Sequence, residues 1–182
     1  MKTILCSALA LLSFHSIHAD PSPYAGEQTR EIKALSAGEV TQLLGGHGMG
    51  LARAAELNSY PGPRHVLDMA GQLRLTPVQT AELNRVFAAM RDAALPLGRE
   101  LLARETELDR LFVERHATSD AVRALTGQIG RLQGELRAVH LNAHVATVEI
   151  LQSDQIARYD VLRGYVASPA PAVSAPAKDD HP

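Results

Sequence analysis

Cysteine is nearly absent from this 182-residue chain, and the single one, Cys6, lies close to its start. That excludes an intramolecular disulfide framework and a cysteine-rich zinc site. Tryptophan is missing and aromatic residues make up only 4%. A core must therefore come from Leu, Val, Ile and Ala, which favours helices over a β-sandwich. Neither sign of charge dominates: 18 Lys and Arg against 20 Asp and Glu leave a formal charge of −2. A dedicated nucleic-acid binder needs a basic face, so no nucleic-acid partner is expected. Catalytic signatures are missing too. There is no G-x-S-x-G, HExxH or EF-hand loop, and the glycine run Gly45–Gly50 has neither a strand before it nor a Lys-Ser/Thr after it. The chain does not read as an enzyme.

The two ends fall outside the expected fold. Lys2, the apolar run Thr3 to Phe14 and the closing Ile17-His18-Ala19 form the pattern of a cleaved secretory signal over residues 1–19. No later stretch approaches ~18 consecutive apolar residues, so no integral membrane segment is expected after cleavage. Residues 20–27 read as a flexible N-terminus. The Pro- and Ala-rich residues 166–182, with Pro169, Pro171, Pro176 and Pro182, read as a disordered tail. Residues 28–165 remain for one helical domain.

Within it, two heptad stripes stand out. Leu83, Phe87, Met90, Ala94, Leu97, Leu101, Leu108 and Leu111 follow steps of four and three, interrupted by Arg104. Val122, Leu125, Ile129, Leu132, Leu136, Val139, Ala143, Ala146 and Ile150 repeat the pattern. A spacing near 3.5 places each set on one helix face, and two such faces pack together. Thr118 or Ser119 caps the second helix, with Asp120 at its positive end. Leu75-Thr76-Pro77-Val78-Gln79 opens the first as a capping box with proline in the first turn, and Pro96 should bend it. Arg104/Glu105 and Asp109/Arg110 suit a solvated charged face. Shorter helices are expected over 28–44, 51–58 and 64–73, and a last one over 154–165. The expected fold class is all-α: a long antiparallel helical hairpin with shorter N-terminal helices and no sheet.

These residues resemble the Spy/CpxP superfamily, whose members repeat an L-T-x-x-Q motif. Leu75-Thr76-Pro77-Val78-Gln79 matches it, and Leu151-Gln152-Ser153-Asp154-Gln155 keeps its Leu and Gln. Gly48-Met49-Gly50 through Tyr60-Pro61-Gly62-Pro63 is similar to the N-terminal region of periplasmic heavy-metal sensors. The resemblance implies a periplasmic, homodimeric, non-enzymatic envelope-stress protein. It would hold unfolded clients as an ATP-independent chaperone or act on an envelope sensor. The alternative it offers is a heavy-metal sensor or resistance protein that binds zinc, nickel or copper. No cofactor is required beyond such a divalent ion.

His140 and His144 are four apart on one helix, so both rings project from one side and can share an ion. They lie off the heptad stripe, between it and a second apolar patch of Leu141, Val145 and Val148. That patch is unnecessary for a lone hairpin and marks either a dimer interface or a seat for the N-terminal helices. Two histidines do not complete a metal site. Met90, across the hairpin from His144, is a soft donor as well as a heptad residue. His47, Met49 and His65 supply further donors if the N-terminal segments fold back onto the hairpin. Otherwise they belong to a tight connector and a helix start, and the histidine pair is a surface or interface feature.

Overall fold

The computed structural model describes residue 20 and residues 22–167. The expected signal segment and residues 168–182 of the expected tail lie outside them. The described residues form six helices and no strand: α1 (Ala37–Gly45), α2 (Arg53–Glu56), α3 (Pro63–Asp68), α4 (Pro77–Val113), α5 (Ser119–Ile150) and α6 (Ser153–Leu162), preceded by a 3₁₀ turn at Glu27–Thr29. Helices α4 and α5 make the expected antiparallel hairpin. Their 37 and 32 residues span about 55 and 48 Å at 1.5 Å per residue.

Each long helix begins where its cap dictates. Thr76 Oγ1 accepts the Gln79 N–H at 3.1 Å while Gln79 Oε1 accepts the Thr76 N–H at 3.0 Å, which satisfies two otherwise orphaned donors. Thr118, rather than Ser119, caps α5 by accepting the Ala121 N–H at 3.2 Å. Helix α4 continues through Pro96 as one element. The two glutamine motifs then meet at the open end of the hairpin. Gln79 Nε2 donates to Gln155 Oε1 at 2.8 Å, and Gln155 Nε2 donates back at 3.2 Å. Gln79 also reaches the Ile150 carbonyl and Gln155 the Leu73 carbonyl. Half of the capping pattern survives at the second motif, since Gln155 Oε1 accepts the Gln152 N–H at 2.9 Å.

Two apolar clusters hold the molecule. One joins Ile32, Leu43, Ala94, Leu101 and Leu102 to Ile129, Leu132 and Leu136; the other gathers Val66, Leu73, Leu83, Leu151 and Tyr159 around the open end. Helices α1 and α3 pack on α4, and α2 and α3 on α5. The crossing of α1 over α4 depends on Gly98. A Cβ there would stand 2.5 Å from the Leu43 carbonyl oxygen, which no side chain tolerates.

Several expectations need correction. The helix expected over 28–44 begins only at Ala37, because Ser36 and Glu39 form a capping box, with Ser36 N–H donating to Glu39 at 2.8 Å. The segments at 51–58 and 64–73 shorten to α2 and α3. Helix α6 ends at Leu162, before Gly164 turns the chain with φ +74°. Arg104 does not pair with Glu105; it bonds Glu100 and Glu107, each at 2.7 Å. Glu105 is instead buried beside Leu101 and Leu102, and Asp109 pairs with Lys33. The expected stripe stays in the core, with Ala94, Leu101, Ile129, Leu132 and Leu136 buried, and a second face of α4 is covered as well, where Gly98 meets Leu43 and Asp109 meets Lys33.

Candidate metal centre

Helix α5 carries His140 and His144 one turn apart, and both are buried, at 3% and 9% exposure. The N-terminal segments, rather than the hairpin stripe, supply the cover. The connector after α1 and the turn before α3 fold back over them. Gly48 lies against the His140 ring, and Gly62 against the His144 ring.

Tautomer and direction follow from the neighbours. The His144 Nδ1 atom stands 2.6 Å from the Tyr60 carbonyl oxygen. A carbonyl only accepts, so Nδ1–H donates, and the neutral ring has its lone pair on Nε2. His140 Nε2 is buried with no hydrogen-bond partner. Burial, with smaller contributions from His144 and His47, lowers the His140 pKa below the usual histidine value. The ring is therefore neutral at pH 7, the form that ligates metal.

Two adjoining cavities share these histidines. One, of about 570 Å³, is lined by His47, His65, Met90, His140 and His144 among others. The second, of about 430 Å³, is lined by Met49, Glu56, His65, His140, His144 and Tyr165 among others. All six side chains singled out in the sequence thus stand around one histidine wall. Among the described residues, no three His, Cys, Asp or Glu side chains already form a group able to hold an ion.

Glu56 is the residue that sequence reasoning missed. One of its oxygens, Oε1, accepts from the Tyr159 hydroxyl and from the Tyr165 hydroxyl at 2.9 Å, with Arg163 Nε 3.4 Å away. The other, Oε2, is buried without a hydrogen-bond partner. Burial alone would raise its pKa, but the neighbouring His65 ring and the hydrogen bonds from Tyr159 and Tyr165 outweigh it and bring the carboxyl down to about 2. Burial first, and then the hydrogen bond to Glu56, pushes the Tyr159 hydroxyl up. No spacing announces Glu56, because the tyrosines that hold it lie more than a hundred positions along the chain.

With this geometry in hand, comparison places the chain. A family model described as heavy-metal resistance matches residues 40–158. The chain belongs to that family, which lies in the Spy/CpxP-like helical superfamily. No curated protein and no solved structure matches it.

Proposed function

We propose that the chain is a periplasmic heavy-metal-binding protein that takes a transition-metal cation between α5 and the folded-back N-terminal segments. The observation that carries this reading is the convergence of His47, His65, His140 and His144 with Met49 and Met90 on two adjoining cavities. Imidazole nitrogens suit zinc, copper and nickel, and thioether sulfur adds softness. The unpartnered His140 Nε2 is costly in a buried site unless something binds there. The rings stand around the cavities rather than at one point, so capture draws them inward by side-chain rotation. His140 and His144 are the first ligands, and His65, His47 and Met90 complete the set. Membership of the heavy-metal resistance family supports the same reading.

The client-binding alternative has weaker support. Among the large exposed apolar side chains, Val78 and Phe112 sit at 65% and 58% exposure near opposite ends of α4. Scattered apolar residues of that kind are ordinary surface. Calorimetric titration with zinc, nickel and copper at pH 7.5 tests the proposal. The wild type should bind, and the His140→Ala/His144→Ala double variant should lose most of that affinity. Equal uptake by both would reject the metal site and return the chaperone reading to first place.

A further inference from the structure

Resting on the metal-binding reading, a second role emerges around Glu56. It lines the smaller cavity yet is already tied by two tyrosines. His65 Nδ1 stands 3.6 Å from Glu56 Oε1, and His144 Nδ1 stands 3.7 Å from Oε2. These distances are too long for strong hydrogen bonds, but they show which edge of each ring faces the carboxylate. Tyr159 oxygen is 3.5 Å from His65 Nδ1, and its proton is committed to Glu56. The atoms set against the two Nδ1 positions are therefore all acceptors: Glu56, the Tyr159 oxygen and the Tyr60 carbonyl. In the neutral form of each ring, the hydrogen then sits on Nδ1 and the lone pair on Nε2.

We propose that Glu56 is a positioning residue for the histidine cavity: held by Tyr159 and Tyr165, its carboxylate keeps the Nδ1 edge of His65 turned toward itself, as the Tyr60 carbonyl does for His144, and leaves the Nε2 atoms for the cation. Metal-ligating histidines generally need such an acceptor on the ring nitrogen that does not bind the metal. The consequence is a coupling. Helix α6 supplies Tyr159. Gly164, at φ +74°, turns the chain so that Tyr165 N–H reaches the Asp160 carbonyl at 2.9 Å and the Tyr165 ring returns to Glu56. Arg163 lies over both tyrosine rings, 6.0 and 5.7 Å from their centres, and holds this turn closed. Docking of α6 and its closing turn thus sets the quality of a metal site to which α6 contributes no ligand.

Long-range proton–nitrogen NMR of the full chain at pH 7.5 reads the tautomers, and zinc or nickel titration reads the affinity. Wild type should show His65 and His144 as Nδ1–H. Glu56→Gln should loosen the His65 tautomer and weaken metal binding ~10–100-fold, the usual cost of losing such a partner. Tyr165→Phe keeps the Tyr159 bond, so it should shift affinity in the same direction by less, and it serves if Glu56→Gln fails to fold. His140→Ala should weaken metal binding while leaving both tautomers in place. A wild type that takes up no metal would remove the metal reading, while the tautomers still decide the positioning role. Wild-type tautomers and affinity in both a folded Glu56→Gln and Tyr165→Phe would overturn the proposal.

Discussion

The histidine cavity is built as much by small residues as by donors. A Cβ on Gly62 would stand 2.9 Å from both Cε1 and Nε2 of His144. Gly62 has ordinary extended backbone, φ −83° and ψ 144°, so its value lies in the space it leaves and not in conformational freedom. Gly62→Ala should therefore displace the His144 ring, weaken zinc and nickel uptake, and destabilise the fold by ~1–3 kcal/mol, the usual range for overpacking. Calorimetric titration beside thermal melting checks it; unchanged binding would place the His144 Nε2 edge outside the ion site. In the sequence, Gly62 reads only as part of a proline turn. Its role appears once α5 is known to pass beneath that turn.

Among the elements, helix α4 buries one residue against its interest. Glu105 is buried at 8% exposure, and burial raises its pKa above the ordinary carboxylate value. The sign follows from linkage. A carboxyl whose folded pKa exceeds its unfolded one favours the folded state when protonated, and that contribution is lost as pH rises through the folded value. At pH 7 the charge opposes folding. Glu105→Gln should raise stability at pH 7 by ~1 kcal/mol, with the gain shrinking as pH falls through the raised folded pKa and gone once pH is below the ordinary carboxylate value of ~4. Urea denaturation across that pH range measures it, and a loss of stability at pH 7 would show that the carboxylate serves the packing. The heptad pattern located the α4–α5 seam, whose Ala94, Leu101, Ile129 and Leu132 share one core cluster. It marked Arg104 as the interruption but not Glu105, because a heptad count follows a single face and says nothing of a second face covered by a distant segment.

For the whole molecule, the N-terminal segments cover the histidine face of α5 but not all of its second apolar patch. Leu141 and Val148 are half-buried, whereas Val145 stays 47% exposed. The expected homodimer has this surface available. Light scattering should give a dimer at micromolar concentration, and Val145→Glu should give a monomer with an unchanged melting temperature. A strict monomer for the wild type at high micromolar concentration would remove the dimer and leave Val145 as ordinary surface.

The sequence by itself determined the helical hairpin, its start at Thr76-Pro77 and its turn at Thr118, because caps and periodicity act within a few residues of one another. It also named the two histidines, since a spacing of four is local. Only the tertiary structure decided whether those histidines are buried, and whether His47, His65 and Met90 join them. That depends on the path of the connectors at 45–50 and 58–62, whose return is governed by contacts with α4 and α5 far along the chain. Glu56 and its tyrosine partners, Tyr159 from α6 and Tyr165 from the turn after it, belong wholly to this second category. A carboxylate more than a hundred residues from the hydroxyls that hold it leaves no periodic or motif-like trace, and it takes its meaning from the packing of α2, α5 and the turn after α6 around one cavity.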